Sequence, residues 1–76
     1  MISAQLRAAR AMLNWSQSDL ARESGLSVET IKRLERMKGI LDATKVSTLT
    51  SITDAFAEAG VEFTNGEAPG VRLRPN

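Results

Sequence analysis

The sequence predicts a mainly α domain of four short helices followed by a C-terminal β-hairpin. Three observations predict it. Apolar residues recur at intervals of three and four through most of the first 60 residues, the period of an amphipathic helix. These stripes are interrupted by stop and start residues: Asn14 then Ser16, Gly25 then Ser27, Gly39, and Gly60. Beyond Gly60 the period changes to two, in Val61-Glu62-Phe63-Thr64 and Val71-Arg72-Leu73-Arg74, around the turn-rich segment Asn65 to Gly70. A chain of 76 residues has room for one modest core. We therefore expect residues 1–60 to form the helical domain and 61–76 a hairpin extension of it.

The first helix is expected over 3–13, with Ser3 as its cap. Ile2, Leu6, Ala9 and Leu13 are spaced 4, 3 and 4 apart and form its apolar stripe. Gln5, Arg7, Ala8, Arg10 and Ala11 lie off that stripe. Asn14 tolerates a left-handed backbone and ends the helix. The second helix, 17–24, is capped by Ser16. Asp19 stands three residues on, as in a capping box, and Trp15 and Leu20 fall at the staple positions. Trp15, the single Trp, is read as core, with base stacking as the alternative. Gly25 closes this helix and Ser27 caps the third, 28–38, with Leu26 and Ile31 as its staple. Ile31 and Leu34 face inward. A loop through Ile40, Leu41, Asp42 and Ala43 leads to the fourth helix, 46–59, capped by Asp42 or Thr44. Its stripe is Val46, Leu49, Ile52, Phe56 and Ala59. Ser47, Thr48, Thr50, Ser51 and Thr53 are poor helix formers, so packing of Leu49, Ile52 and Phe56 must hold it. The expected core is Leu6, Leu13, Leu20, Ile31, Leu34, Leu49, Ile52 and Phe56. Val61, Phe63, Val71 and Leu73 share one face of the hairpin, which must pack on the helices or on a second chain.

Composition removes several function classes. There is no Cys and no His, so disulfides, thiolate or imidazole metal sites and His-dependent catalysis are excluded. No Gly-rich phosphate loop is present, and the chain is too short to enclose a substrate pocket; an enzyme is not expected. Neither a cofactor nor a small-molecule ligand is expected. No apolar run approaches membrane-spanning length and no signal-peptide pattern opens the chain, so a soluble cytoplasmic protein without a membrane partner is expected. The net charge is +1, but residues 1–38 carry a balance of +3 and residues 39–59 one of −2. The basic excess lies on the half holding the two helices joined at Gly25, where a nucleic-acid footprint would lie.

The stretch Gln17 to Glu35 resembles the helix-turn-helix of the phage repressor and Cro family of DNA-binding proteins. Gln17, Leu20, Ala21, Gly25, Leu26, Ser27, Ile31, Leu34 and Glu35 carry the resemblance at a spacing fixed across these 19 residues. A small Ala21 lets the third helix approach the second across a short turn. The resemblance implies a lambda-repressor-like fold and a sequence-specific transcriptional regulator, most simply a bacterial or phage repressor. Its third helix would enter the major groove of double-stranded DNA. The residues placed to contact DNA are Gln17, Ser27, Val28, Glu29, Thr30, Lys32, Arg33, Arg36 and Lys38. Of these, Arg33 suits guanine O6 and N7, Glu29 cytosine N4, and Val28 a thymine methyl. Lys32 and Arg36 suit phosphates, and Gln17 resembles the family's phosphate-contacting glutamine. Lys38 and Lys45 flank the loop after the third helix and suit the same strand. Val28 and Glu29 depart from the polar or basic residues frequent there in the family.

The resemblance also implies a structural pair between Arg10 on the first helix and Glu35; a local partner for Glu35, Lys32 or Lys38, is the alternative. Likewise the basic face can be an ordinary solvated one, with Glu29 and Arg33 as an i,i+4 pair. The hairpin departs from the family's usual fifth helix and is similar to small bacterial regulators that carry two strands there. A homodimer is expected, since two-fold proteins read two half-sites. The competing function is a protein-interaction module on the same fold, such as an antitoxin or adaptor.

Overall fold

The computed structural model describes residues 3–37, 44–64 and 67–75. Along the chain come α1 (Ser3–Leu13), α2 (Gln17–Ser24), α3 (Val28–Arg36), α4 (Val46–Glu58), β1 (Val61–Thr64) and β2 (Gly70–Leu73). The two strands pair antiparallel, with Val61 opposite Leu73 and Phe63 opposite Val71. Helix α1 packs on α3 and on β2, α2 packs on α3 and α4, and α4 packs on β1. The hairpin thus closes the side of the bundle between α1 and α4.

Leu6, Ala9, Leu20, Ala21, Ile31, Leu34, Ile52, Phe56 and Val61 form one buried cluster. Leu13 and Leu49 reach only its edge and stay half-buried. Val61 takes a central place because the strand face turned to the helices seals the core at α4. Trp15 stacks on Phe56 with ring centroids 5.4 Å apart, and Phe63 meets Phe56 edge-on at 5.6 Å. These offset and T-shaped geometries suit the ring quadrupoles. The Trp15 face is therefore committed to the interior, and base stacking is set aside.

Several further expectations need correction. Ser3 is a helical residue rather than a cap; it is buried and its Oγ donates to the Met37 carbonyl at 2.6 Å. Gln5 is buried although it lies off the apolar stripe, because its Nε2 donates to the carbonyls of Thr64 and Gly70 where the two strands meet. Val46 is 78 % exposed and leaves the stripe of α4 at Leu49. It stands in the first turn, beyond the reach of the core. Finally, α4 begins without a side-chain cap on its N-cap residue: Lys45 holds that position, and Thr44 is one residue too early, its hydroxyl buried without a partner among the described residues. The expected loop from Gly39 to Ala43, with Asp42 as a cap, lies outside the described residues. Helix α3 ends at Arg36, two residues short of expectation, because Met37 turns extended. Helix α4 ends at Glu58 with Ala59 as its C-cap, and β2 runs 70–73 rather than 71–74.

Candidate nucleic-acid interface

The turn between α2 and α3 is built from local hydrogen bonds. Ser16 and Asp19 form a reciprocal capping box: Asp19 N donates to Ser16 Oγ at 3.0 Å, and Ser16 N donates to Asp19 Oδ2 at 2.8 Å. The Ser16 N–H holds the Asp19 carboxyl below its usual pKa, with help from Arg22. At the other end Gly25 is left-handed, at φ 73°, and both Gly25 and Leu26 donate to the Ala21 carbonyl. The second of these is the closing bond of a Schellman motif. Ser27 then caps α3, accepting from Thr30 N at 3.1 Å while its hydroxyl meets that of Thr30 at 2.9 Å. Leu20, Ala21, Ile31 and Leu34 are buried between the helices, so α3 is fixed on α2 by an apolar contact in which only Ala21 is small.

Helices α1 and α2 both reach Glu35 of α3. Arg10 grips its carboxylate with two bonds, Nε to Oε2 at 2.6 Å and Nη2 to Oε1 at 2.8 Å. Arg10 Nη1 also donates to the Trp15 carbonyl, which ties the linker before α2 to the same guanidinium. Gln17 Nε2, from the first turn of α2, donates to Glu35 Oε1 at 3.2 Å. The two charged side chains are 19 % and 5 % exposed. The hydrogen bonds that Arg10 donates to Glu35 raise its pKa above the usual value, against the opposing effect of desolvation. Glu35 therefore points inward, and the pair joins α1 to α3 rather than Glu35 to a neighbour on its own helix. Gln17 is half-buried because its carboxamide turns to Glu35.

The opposite side of α3 is open. Glu29, Lys32, Arg33 and Arg36 are exposed, and Thr30 and Val28 are half-buried. Val28 packs against the core, so only part of its side chain faces out. Glu29 pairs at 3.8 Å with Lys32, one turn on, rather than with Arg33. Arg33 and Arg36 have no ion pair or hydrogen bond among the described residues. Beside them, Leu26, Thr30, Arg33, Thr44, Lys45 and Thr48 line a hollow of about 310 Å³ between α3 and the start of α4. Lys45 thereby joins the basic surface of α3, on the uncapped N-terminus of α4. Lys38 lies outside the described residues.

The chain matches the helix-turn-helix family model over residues 6–55. It belongs to that family. No curated protein matches it. The matched span of this helix-turn-helix chain takes in α2, the Gly25 turn, α3 and most of α1 and α4, while the hairpin falls outside it. The family is one of DNA-binding regulators, not of enzymes. Among the described residues no helix is long and apolar enough to cross a membrane. Three features of this helix-turn-helix domain escape a reading of the sequence: Arg7 and Ser3, which bond to the end of α3, and the hollow beside Arg33. Ser3, Arg7 and Arg10 do share one spacing, 4 then 3, which is the signal that could have joined them.

Proposed function

We propose that the protein is a sequence-specific transcriptional regulator, most simply a repressor, that lays α3 in the major groove of double-stranded DNA. The observation that carries this reading is the pair of exposed guanidinium groups of Arg33 and Arg36, unpartnered among the described residues, on a helix whose other face is fixed in the core. A guanidinium held by a salt bridge would have to give it up to bind DNA; among the described residues these two hold none. Arg33 reads guanine through O6 and N7. Glu29 accepts from cytosine N4 after releasing Lys32, and the exposed part of Val28 meets a thymine methyl. Ser27 and Thr30, bonded to each other, present the N-terminal edge of α3 to the backbone. Lys32, Arg36, Lys38 and Lys45 contact phosphates and set the register. Gln17 offers phosphate the second N–H of its carboxamide, the first being directed at Glu35.

The functional unit is a homodimer. The longest extent of one copy is 32 Å and it carries a single α3. Half-sites in successive major grooves stand about 34 Å apart, so each needs its own copy. Selection of bound sequences from random duplex DNA tests the proposal. A palindromic consensus with affinity falling steeply in salt is expected, through release of counterions. Recovery of no consensus, with weak salt-insensitive binding, contradicts it and favours a protein-interaction module on the same fold.

A further inference from the structure

Two carbonyls at the C-terminal end of α3 are satisfied by side chains of another helix. The last carbonyls of a helix have no intrahelical donor, and a left-handed glycine commonly supplies the closing bonds. Here Met37 is extended, at ψ 143°, and its N–H reaches only the Leu34 carbonyl. Among the described residues, further donors come from α1. Arg7 Nη1 donates to the Glu35 carbonyl at 2.7 Å, and Ser3 Oγ to the Met37 carbonyl at 2.6 Å. With Arg10 on the Glu35 carboxylate, one polar stripe of α1 holds α3 at three points in its last turn. A cation there also faces the negative end of the helix dipole.

We infer that Arg7, assisted by Ser3, is a positioning residue for the recognition helix: it fixes the tilt of the C-terminal half of α3 and so the choice of base, without itself touching DNA. The inference rests on the DNA-binding reading above. Arg33 and Arg36 project from the turn that Arg7 holds. A paired contact to a base edge tolerates little displacement, whereas a phosphate accepts a charged group from many directions. Loosening this end therefore costs discrimination before it costs non-specific affinity.

The test uses Arg7→Met, which keeps most of the stem and removes the donors, and Arg7→Lys, which restores a cationic donor. Ser3→Ala, with every charge in place, is the second variant should Arg7→Met fail to unfold cooperatively. Two quantities are read: amide hydrogen exchange from Leu34 to Met37, and affinity for the selected and a scrambled duplex across a salt series. Arg7→Met is expected to speed exchange in the last turn of α3 by about tenfold or more, the scale of one hydrogen bond to a charged group, with α2 unchanged. The ratio of selected to scrambled affinity should fall about tenfold at an unchanged salt slope, with partial recovery in Arg7→Lys. Unchanged exchange overturns the inference. So does a salt slope lowered by about one with the ratio intact, which would make Arg7 a phosphate contact. If the unmodified chain selects no DNA, the DNA-binding reading fails on its own, and the exchange comparison still decides whether Arg7 holds the end of α3.

Discussion

Glu35 is an acid on a helix with a basic outer face, and its burial explains why it does not weaken that face. Its charge is neutralised by Arg10 and its second oxygen is shared with Gln17. A buried pair is costly to break from one side, because the remaining charge stays in a poor solvent. Arg10→Met should therefore lower stability by about 3 kcal/mol in denaturant unfolding. Arg10→Met combined with Glu35→Leu should cost less than the single change, since no lone charge remains; a larger loss in the double variant would show that the pair itself adds net stability. Asp19 gives a pH signature. Its native pKa is depressed, so its contribution is present above the unfolded carboxylate range and is lost as pH falls through the lower native value. Asp19→Asn should be less stable than the parent at neutral pH, and the two should converge in acid; parallel pH profiles would argue against the capping box. The Arg10–Glu35 pair was legible through the family resemblance, since both ends are side chains at matching places. Ser3, Gln5 and Arg7 were not, because each bonds to a main-chain carbonyl 28 to 65 residues away, and a carbonyl has no residue identity to read.

At the scale of elements, the caps and stripes in the sequence located all four helices and both strands closely. Local chemistry decided these: the Ser16–Asp19 box, Asn14 at φ 55°, Gly25, and the Ser27 cap. The misjudged ends are those set by tertiary contact. Helix α3 stops where Met37 turns its carbonyl to Ser3, and the stripe of α4 begins at Leu49 because Val46 overhangs the core. Leu34 lies on the inner face of α3. It is fully buried, so Leu34→Ala should cost about 2–5 kcal/mol in the same unfolding experiment. A loss below about 1 kcal/mol, the scale of a surface change, would mean that the wrong side of α3 has been assigned to the core.

For the whole molecule, the division of labour is between a fixed interior and an open basic face. Helix α1 and the hairpin close one side of the bundle, while α3, the first turn of α2 and Lys45 at the head of α4 supply the other. The hairpin's apolar side is only partly covered: Val61 is sealed in the core and Leu73, opposite it, is 49 % exposed. What the face would read was not legible beyond its outline. Residue type names a contact's chemistry, but which side chains stand free depends on pairings made in the fold, such as Glu29 with Lys32 and Gln17 with Glu35. The central claim is that α3 reads bases from this face, and Arg33 is its sharpest point. Arg33→Ala should be measured beside Gln17→Ala on the selected and a scrambled duplex at one fixed salt concentration. Arg33→Ala should lose about 1–3 kcal/mol on the selected duplex and little on the scrambled one, with relaxed choice at one base pair. Gln17→Ala should weaken both by a similar, smaller factor. Equal weakening of both duplexes by Arg33→Ala would contradict base reading, and no change from either variant would contradict the entry of α3 into the groove.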